Sequence, residues 1–261
     1  MVAMRSMVSV VCAVVAVAAG LIFEASTAAA RACTQQEFEG SAYVVCAIDP
    51  VAADLRLFWK APDGEPFRSF SNVAEAVSGE GRELVFAING GMYLPDFTPL
   101  GLFVENGATL RPADTGTVEG PPARVPNFYK KPNGVFFLGE TAAGILTTED
   151  YLVSDRDVRF ATQSGPLLVI DGDLHPMFIP GSTDRTRRSG VGVCEDGLVR
   201  FAISEGRVNF HDFARLFRDR LGCDDALFLD GGRGAGLYLP EMGRNNWSWY
   251  GGYGPIFGLV D

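Results

Sequence analysis

Two apolar runs of the sequence each end in a polar residue that is followed by two glycines. The tripeptides are Asn89-Gly90-Gly91 and Asp230-Gly231-Gly232. Glycines in such turns accept a positive φ and let a ligand approach the backbone closely, and their exposed N–H groups can bind an anion. A carboxylate at a strand end is a candidate base or nucleophile. The pattern indicates one site built from two strand ends, with two ordinary glycine turns as the alternative.

Three arginines fall within four positions, at Arg185, Arg187 and Arg188, immediately before Ser189. Guanidinium groups bind phosphate bidentately, and here they stand in a chain whose formal net charge is −10. The cluster therefore predicts an anion site, although an exposed basic loop explains the same residues. A further polar segment, residues 163–166, enters an apolar strand and is another candidate.

Short strands must position these residues, because β-branched and aromatic side chains dominate the apolar runs. The predicted strands are 42–48, 54–58, 84–88, 99–105, 134–138, 144–147, 167–170, 191–194, 198–203, 226–229 and 256–260. Two helices are expected, at 72–77 and at 210–221, the second capped by Asn209. Residues 111–127 are rich in proline and form a long loop. The predicted fold class is α+β, a strand-rich mixed sheet with few helices in a single domain.

The composition excludes several classes of protein. The chain has 261 residues, of which 47% are hydrophobic, so it is neither disordered nor fibrous. Its 32 acidic residues exceed its 22 basic residues. Nucleic-acid-binding proteins show the opposite balance, and anionic lipid surfaces repel an acidic protein. We therefore expect no nucleic-acid partner.

The first 32 residues are organised like a secretory signal peptide. Arg5 is the only charged residue before an apolar run from Met7 to Phe23, and small residues follow that run. This order is typical of a cleaved signal, with cleavage after Ala30 or Ala32. A membrane anchor is the alternative, since the run is at the low end of the length needed to span a bilayer. We expect a periplasmic or secreted protein that does not insert into the membrane once the signal is removed.

Removal of the signal leaves a domain of residues 33–261 with an even number of cysteines. They are Cys33, Cys46, Cys194 and Cys223. An even number is typical of disulfides in an oxidising compartment. Residues 38–43 can turn back as a hairpin, so we favour a Cys33–Cys46 pair, which leaves the other two cysteines for a possible second bridge.

No dedicated metal motif is visible. There is no Cys-x-x-Cys pair, and neither His175 nor His211 lies at a zinc-like spacing from a cysteine. We therefore expect no cofactor, while carboxylates at strand ends leave a divalent metal ion open.

Five motifs follow one another along the mature chain. They are Ile88-Asn89-Gly90-Gly91-Met92-Tyr93, Lys131-Pro132-Asn133-Gly134-Val135-Phe136-Phe137, Gln163-Ser164-Gly165-Pro166, Arg188-Ser189-Gly190-Val191-Gly192 and Asp230-Gly231-Gly232. In this order they resemble the phosphodiester glycosidase family, most of all its short exported bacterial members. The resemblance covers residues 40–260 and is specific because the five motifs occur together.

The resemblance implies an exported hydrolase that cleaves a sugar-1-phosphodiester in a phosphorylated glycan or envelope polymer. Its partner would be a carbohydrate or sugar-phosphate substrate. The motif match assigns catalysis to Asp230, Arg188 and Ser189. It assigns substrate binding to Asn89, Gly90, Gly91, Asn133, Gln163, Ser164, Gly165, Gly231 and Gly232.

The sequence departs from the family pattern in two places. The family's Asp-Gly-Gly is usually followed by serines, whereas residues 233–236 are Arg-Gly-Ala-Gly. Arg233 would then bind the substrate through its charge. The usual Arg-Thr pair is Arg188-Ser189, which keeps a hydroxyl. The missing serines favour the alternative function, a non-catalytic glycan-binding or envelope and exopolysaccharide assembly protein on the same fold.

The chemistry requires few groups, because a phosphate ester leaves the anomeric carbon as a weak base. Glycosidases ordinarily use two carboxyl groups, but an arginine that binds the departing phosphate can replace the acid. We assign Asp230 as the base or nucleophile and Arg188 as the phosphate clamp. Asn89, Asn133 and Gln163 would orient the sugar hydroxyls.

Glu205 and His211 are second candidates for proton transfer, since each follows a predicted strand, although a structural role is the favoured interpretation for both. Aromatic residues near the carboxyl end would either stack on sugar rings or cover the edge of the core. They are Trp247, Trp249, Tyr250 and Tyr253.

Overall fold

The computed structural model describes residues 31–261. Its strands are β1 Arg31–Phe38, β2 Ser41–Ile48, β3 Asp54–Phe58, β4 Leu84–Asn89, β5 Phe103–Glu105, β6 Ala108–Arg111, β7 Gly134–Leu138, β8 Ala143–Thr147, β9 Phe160–Ser164, β10 Leu167–Ile170, β11 Asp173–Leu174, β12 Arg188–Cys194, β13 Val199–Ser204, β14 Cys223–Gly231, β15 Leu237–Leu239, β16 Arg244–Asn245 and β17 Ile256–Val260. The helices are α1 Phe70–Gly79, α2 Thr148–Val153 and α3 Phe210–Arg215, and a π-helical turn, Leu216–Arg220, continues α3.

The strands form three sheets. A seven-stranded sheet has the order β1-β2-β13-β12-β14-β10-β11, and two five-stranded sheets have the orders β16-β15-β4-β17-β3 and β6-β5-β9-β7-β8. All strand pairs in the described part of the chain are antiparallel. The strand-rich α+β single-domain prediction is confirmed. In place of the mixed sheet that we expected there are three antiparallel ones, because short hairpins, which only antiparallel strands can use, join many of the neighbours.

The main core lies where the three sheets meet. Val44, Phe86 and Phe136 each come from a different sheet, and none is more than 1% exposed. The ring of Phe136 meets those of Phe201 and Phe257 edge-on, with centroids 6.0 and 5.3 Å away. We call the side of the seven-stranded sheet that faces this core its inner face.

The other side of that sheet, its outer face, packs against α3. Phe213 and Phe217 lie there, where strand β12 carries glycines. A Cβ at Gly192 would lie 2.7 Å from Cδ1 of Phe217, and a Cβ at Gly190 would lie 3.1 Å from Cε1 of Phe213. The glycines therefore let the helix approach the sheet closely.

Two disulfides tie neighbouring strands of the same sheet. Cys33 lies opposite Cys46 in the β1–β2 hairpin, and the two are bonded, which confirms the predicted pair. Cys194 lies opposite Cys223 across β12 and β14, and they form the second bridge. Such bridges are typical of proteins that fold outside the cytoplasm.

Several predicted boundaries shift. Strand β12 begins at Arg188, not at residue 191, and β14 runs on to Gly231, so the candidate residues at 188–190 and at 230 are strand residues. The α3 cap is confirmed, since the side chain of Asn209 accepts a hydrogen bond from the N–H of Asp212 at 2.8 Å. The predicted strand over 99–105 is shorter because only Phe103–Glu105 pairs in the ladder.

The expected signal peptide lies outside the described residues, apart from Arg31 and Ala32 at the start of β1. Between residues 31 and 261, none of the helices has the length and apolar character needed to cross a bilayer.

Candidate active site

Asp230 stands near the end of β14, directly opposite Ser189 of β12. Paired residues of an antiparallel ladder project to the same face, so both belong to the inner face. The Asp230 side chain is partly exposed, and its Oδ1 accepts a hydrogen bond from the N–H of Gly231 at 2.7 Å. The ladder shifts register just beyond this pair, which turns the end of the strand.

Burial raises the pKa of the Asp230 carboxyl to about 7, against the opposing effect of the Gly231 N–H. A carboxyl whose pKa lies near neutrality can take up or release a proton under physiological conditions. Asp230 therefore has the electrostatic environment of a catalytic acid or base.

The residues after Asp230 fold back against its carboxyl group. A Cβ at Gly234 would lie 2.1 Å from Oδ2 of Asp230, and a Cβ at Gly236 would lie 2.0 Å from the hydroxyl of Tyr253. Neither distance is compatible with a side chain. The close packing of this segment on two polar groups therefore requires glycine at both positions.

Asn89 joins the first glycine tripeptide to this segment. It ends β4, it is fully buried, and its Oδ1 accepts a hydrogen bond from the N–H of Gly236 at 3.0 Å. Its Nδ2 has no partner among residues 31–261. The two polar strand ends, Asn89 and Asp230, therefore contact the same short segment.

Two tyrosines complete the surroundings of Asp230. Burial raises the pKa of Tyr93 to about 12, a hydrogen bond with Ser248 opposes this, and the nearby Asp230 carboxylate adds to it. Burial also raises the pKa of Tyr253, with Arg187 opposing and Asp230 contributing. The Tyr93 hydroxyl donates to the carbonyl of Gly252 at 2.7 Å. Both phenols therefore stay protonated beside the carboxyl group.

A cleft of about 600 Å³ opens beside the segment that packs on Asp230. Its lining residues are Arg187, Gly232, Arg233, Ala235, Asn246, Trp247 and Trp249. The indole groups are well exposed, at 63% for Trp247 and 78% for Trp249. The cleft thus combines cationic groups with flat aromatic surfaces, a combination suited to a sugar phosphate.

Arg187 is the cation that the structure fixes most firmly in the cleft. Its guanidinium donates to the carbonyls of Ser204 and Ala235 and, at 3.0 Å, to Oδ1 of Asn246. A guanidinium has five N–H donors, so two remain for a ligand. Burial lowers the pKa of Arg187, and the nearby Glu205 carboxylate opposes this.

Arg188 does not share a cavity with Asp230, contrary to our expectation. Successive strand residues alternate between faces, and the side chain of Arg188 lies on the outer face. Its guanidinium carbon is 3.5 Å from the centroid of the Phe210 ring and its Nε donates to the carbonyl of Val208 at 2.9 Å. The predicted role of Arg188 as a phosphate clamp beside Asp230 is therefore wrong. Arg187, not Arg188, lies on the face of the sheet that carries Asp230.

Ser189 lies on the inner face with Asp230, as a catalytic role requires, but its hydroxyl contacts the backbone and not the Asp230 carboxyl group. It is buried, and its hydroxyl donates to the backbone carbonyl of Asp230 at 3.1 Å. The hydroxyl therefore fastens the end of β14 and sets the position of the carboxyl group.

Asn133 and Gln163 are also buried and use their polar atoms within the protein. Asn133 accepts from Lys131 and Thr148 and donates to the carbonyl of Phe128. Gln163 accepts from the N–H groups of Leu102 and Asp114 and donates to the carbonyl of Asp114 and to Thr148. These contacts hold the long loop that begins at residue 111.

Three more of the expected substrate-binding residues pack in the same region. The Ser164 hydroxyl donates to the carbonyl of Leu229, next to Asp230, at 3.0 Å. Gly165 approaches Asn133 so closely that a Cβ would lie 2.6 Å from that of Asn133, and a Cβ at Gly91 would lie 3.0 Å from Oγ1 of Thr162. These residues pack against the ends of the strands that carry Asn89 and Asp230.

Gly90, Gly231 and Gly232 border the strand ends themselves. A Cβ at Gly90 would lie 3.0 Å from the carbonyl carbon of Pro255, and one at Gly231 would lie 3.1 Å from the carbonyl oxygen of Arg187. Gly232 has φ 60° and donates its N–H to that same carbonyl at 2.8 Å. The glycines therefore join the Asp230 segment to Arg187.

Neither of the second candidates lines the cleft, although the Glu205 carboxylate is close enough to Arg187 to raise the pKa of that guanidinium. Glu205 forms an ion pair with Arg244 at 3.1 Å, and His211 lines a different cavity, on the outer face. Among residues 31–261 there is no cluster of three or more side chains able to hold a metal ion.

From the sequence, Arg187 was named only within the arginine cluster, Tyr93 only within the first motif and Tyr253 only among the aromatic residues near the carboxyl end. Arg187 stands two residues before Ser189, and residues two apart in an extended segment project to the same face. If the start of β12 at Arg188 had been known, this alternation would have placed Arg187 on the face of Ser189. Tyr93 follows the first glycine tripeptide within the same motif. Tyr253 was expected either to stack on a sugar ring or to cover the edge of the core, and it is 1% exposed and close to Asp230.

The comparisons with known proteins decide the family. The phosphodiester glycosidase model matches residues 82–252. The chain belongs to the phosphodiester glycosidase family. A relative, the protein YigE of Escherichia coli strain K12, is 30% identical to this chain over 184 residues, which are 70% of this chain and 69% of YigE.

Solved structures share the fold of this phosphodiester glycosidase domain. The zebrafish N-acetylglucosamine-1-phosphodiester alpha-N-acetylglucosaminidase catalytic domain, auto-inhibited by its pro-peptide, superposes with a TM-score of 0.62 at 15% identity, over 90% of this chain and 84% of its own. A hypothetical protein from Synechocystis gives 0.52 at 15% identity, over 87% of this chain and 61% of its own.

Proposed function

We propose that this protein is an exported hydrolase that releases a sugar from a sugar-1-phosphodiester, with Asp230 as the general base. The observation that supports it best is the juxtaposition at the end of β14. There a partly buried carboxyl group with a pKa of about 7 stands beside a cleft that carries Arg187, Arg233 and two exposed indoles.

The proposed reaction is a single displacement at the anomeric carbon. A water molecule gives a proton to the Asp230 carboxylate and its oxygen bonds to the anomeric carbon. The bond from that carbon to the phosphate oxygen breaks, and its electron pair leaves with the phosphate. Arg187 and Arg233 stabilise the negative charge that develops there, so no strong general acid is needed at the leaving oxygen. The free sugar and a phosphomonoester are the products.

The remaining residues have supporting roles in this proposal. Trp247 and Trp249 provide faces on which a sugar ring stacks. Asn89 offers its unpaired Nδ2 as a donor to the substrate or to the attacking water. Ser189 and Ser164 fix the backbone around Asp230, and Asn133 and Gln163 hold the elements behind it.

Export is part of the proposal. The residues before Ala30 have the order of a cleaved signal peptide, and strand β1 already pairs with β2 from Arg31 onward. Cleavage after Ala30 keeps that hairpin intact, whereas cleavage after Ala32 removes two paired residues. We therefore propose Arg31 as the first residue of the mature protein.

The test is the release of free sugar from a panel of sugar-1-phosphodiesters that differ in the sugar and in the alcohol on the phosphate. The wild type is compared with Asp230→Asn and Arg187→Gln. Arg185→Gln serves as the control, because Arg185 is 41% exposed and pairs with Asp212. Turnover by the wild type and by Arg185→Gln, lost in the other two variants, supports the enzyme.

The alternative is a glycan-binding protein without turnover, and the exchange of the family's serines for residues 233–236 is the observation in its favour. The same panel separates the two functions. Binding of a sugar phosphate that depends on Trp247 and Arg187, with no sugar released from any compound, would establish the binding protein and reject the hydrolase.

A further inference from the structure

A second cavity lies on the outer face of the seven-stranded sheet, away from Asp230. Its volume is about 180 Å³, below the usual range for pockets that hold drug-sized ligands. Its walls include Lys130, Met177, Phe178, Asp184, Phe210 and His211. Pro122 and Ala123 of the long loop form one side. A cavity of this size suits a small ligand.

The Arg188 guanidinium lies against this cavity. It covers the ring of Phe210, and its Nη2 donates to the carbonyl of Asp184 at 3.2 Å. Both of these residues line the cavity. On its far side Phe210 is stacked on Phe178, with the centroids 5.1 Å apart and the planes 6° from parallel. The charged group is therefore held at the end of a short aromatic stack.

The charge of Arg188 is not balanced inside the protein. The side chain is 1% exposed, and Nη1 has no hydrogen-bond partner in the described chain. The nearest carboxylate oxygen, that of Asp184, is 3.8 Å from Nη2 on a side chain that is 71% exposed. A buried cation without a close counter-charge is destabilising, so an anion close to it would stabilise it.

Lys130 supplies a second cation. Its Nζ is 5.4 Å from the centroid of the same Phe210 ring. Burial lowers the pKa of Lys130, Asp184 opposes this, and Arg188 lowers it further, so the two cations are close enough to repel each other. The cavity therefore has one cation in its wall, Lys130, and a second, Arg188, buried directly behind Phe210 and Asp184, against the exposed carboxylate of Asp184.

We propose that this cavity binds a small anion of the phosphate class between Lys130 and Arg188. The Nζ of Lys130 would donate to its oxygens, the buried charge of Arg188 behind the wall would attract it, and Phe178 and Met177 would contact any organic group that it carries. The site is distinct from the cleft beside Asp230, because Arg187 and Arg188 project to opposite faces of the sheet. The proposal does not require that the protein be a hydrolase.

The experiment combines two measurements on the mature protein. Calorimetric titration with inorganic phosphate and with phenyl phosphate gives the affinity of each, in the wild type and in Lys130→Gln. Lys60→Gln is the matched control, since Lys60 also lies over an aromatic ring, 4.4 Å from the centroid of Trp59, but is exposed and outside this cavity. Crystals soaked in tungstate locate the anion by its anomalous signal.

The expected result is a tungstate peak in the cavity within hydrogen-bond distance of Lys130, with phosphate affinity about 10-fold lower in Lys130→Gln and unchanged in Lys60→Gln. Tighter binding of phenyl phosphate would identify a phosphate ester as the ligand, and equal binding would identify free phosphate.

Two results would overturn the proposal. One is the absence of a tungstate peak in the cavity. The other is phosphate binding that Lys130→Gln leaves intact and Arg187→Gln abolishes. Asp230→Asn separates this proposal from the hydrolase, because it removes turnover but leaves the outer cavity unchanged. Arg188→Lys, which keeps the charge, is a second test where the fold is preserved by circular dichroism, and we expect weaker phosphate binding there too.

Discussion

Ser189 and Asp230 lie directly opposite each other on adjacent strands, and the Ser189 hydroxyl donates to the Asp230 carbonyl at 3.1 Å. The neighbouring Arg188 faces the other way, towards Phe210. One ladder therefore separates two chemical environments, a carboxyl group on one face and a buried cation on the other. The proposed catalytic residues all lie on the Asp230 side.

The first prediction concerns the dependence of the rate on pH. A general base must be ionised, and the pKa of Asp230 is about 7. We expect kcat/KM to fall tenfold per pH unit below this value and to level off above it. Initial rates from pH 4 to 9 on the best substrate of the panel provide the measurement. A rate that rises as the pH falls below 7 would instead make Asp230 an acid.

The second prediction concerns stability. The folded pKa of Asp230 is raised above its ordinary value of 3.8, so the native state holds this proton at pH values where the unfolded chain has lost it. The stability gained from this is complete below pH 4 and is lost as the pH rises through 7. Asp230→Asn should therefore be more stable than the wild type at pH 8, by about 1–3 kcal/mol.

Urea unfolding at pH 8 and at pH 4 measures this difference. The two proteins should unfold at nearly the same urea concentration at pH 4, because the wild-type carboxyl group is then protonated. Equal stability at both values would show that Asp230 is not held in a desolvated environment.

The third prediction concerns Arg187. We expect Arg187→Gln to lower kcat/KM by about 10- to 100-fold, because one charge-assisted contact with the departing phosphate is lost. Arg185→Gln should change it less than threefold. Since Arg187 also binds Ser204 and Ala235, thermal unfolding of each variant must accompany the kinetics. A loss that follows stability alone would assign Arg187 a structural role.

The fourth prediction concerns the exposed indoles. Trp247→Ala and Trp249→Ala should each raise KM by about tenfold or less with little change in kcat, since stacking orients the sugar without taking part in bond breaking. Leu152→Ala is a suitable control, because that side chain is 51% exposed and lies outside the cleft. A fall in kcat alone would contradict a binding role.

The fifth prediction tests the segment that packs on the carboxyl group. Gly234→Ser should destabilise the protein by about 1–3 kcal/mol and reduce turnover, because its Cβ would overlap Oδ2 of Asp230. Gly206→Ser is the matched control, as no atom lies within 4 Å of a Cβ at that position. Normal turnover in Gly234→Ser would mean that the segment can move away from Asp230.

The strands could be predicted well because their apolar content is a local property. The ranges of β3, β7, β10 and β17 agree with the sequence-based ranges, and the Cys33–Cys46 hairpin followed from the residues between the cysteines. The ends of β12 and β14 could not be placed, because Arg188 and Asp230 are strand residues only through pairing with each other's strand. That pairing joins residues about forty positions apart in the sequence.

The prediction of the site residues depended on where strand β12 begins. An arginine cluster predicts an anion site, but only the register of β12 decides which arginine faces Asp230. The roles of Asn133 and Gln163 were equally hidden, because their partners at Phe128, Leu102 and Asp114 depend on how the long loop folds back. The sequence motifs indicated that Asn133 and Gln163 lie near the site. Their hydrogen bonds within the protein show that they stabilise the surrounding backbone.

Under the proposed export, the two disulfides have a consequence for the order in which the chain matures. Cys33 and Cys46 meet in a local hairpin that can close as soon as residues 31–48 emerge into an oxidising compartment. Cys194 and Cys223 lie on strands separated in sequence by β13 and α3, so they meet only after both have been synthesised and docked. Oxidation should therefore proceed from the amino end to the carboxyl end, and a one-bridge intermediate would carry the hairpin bond.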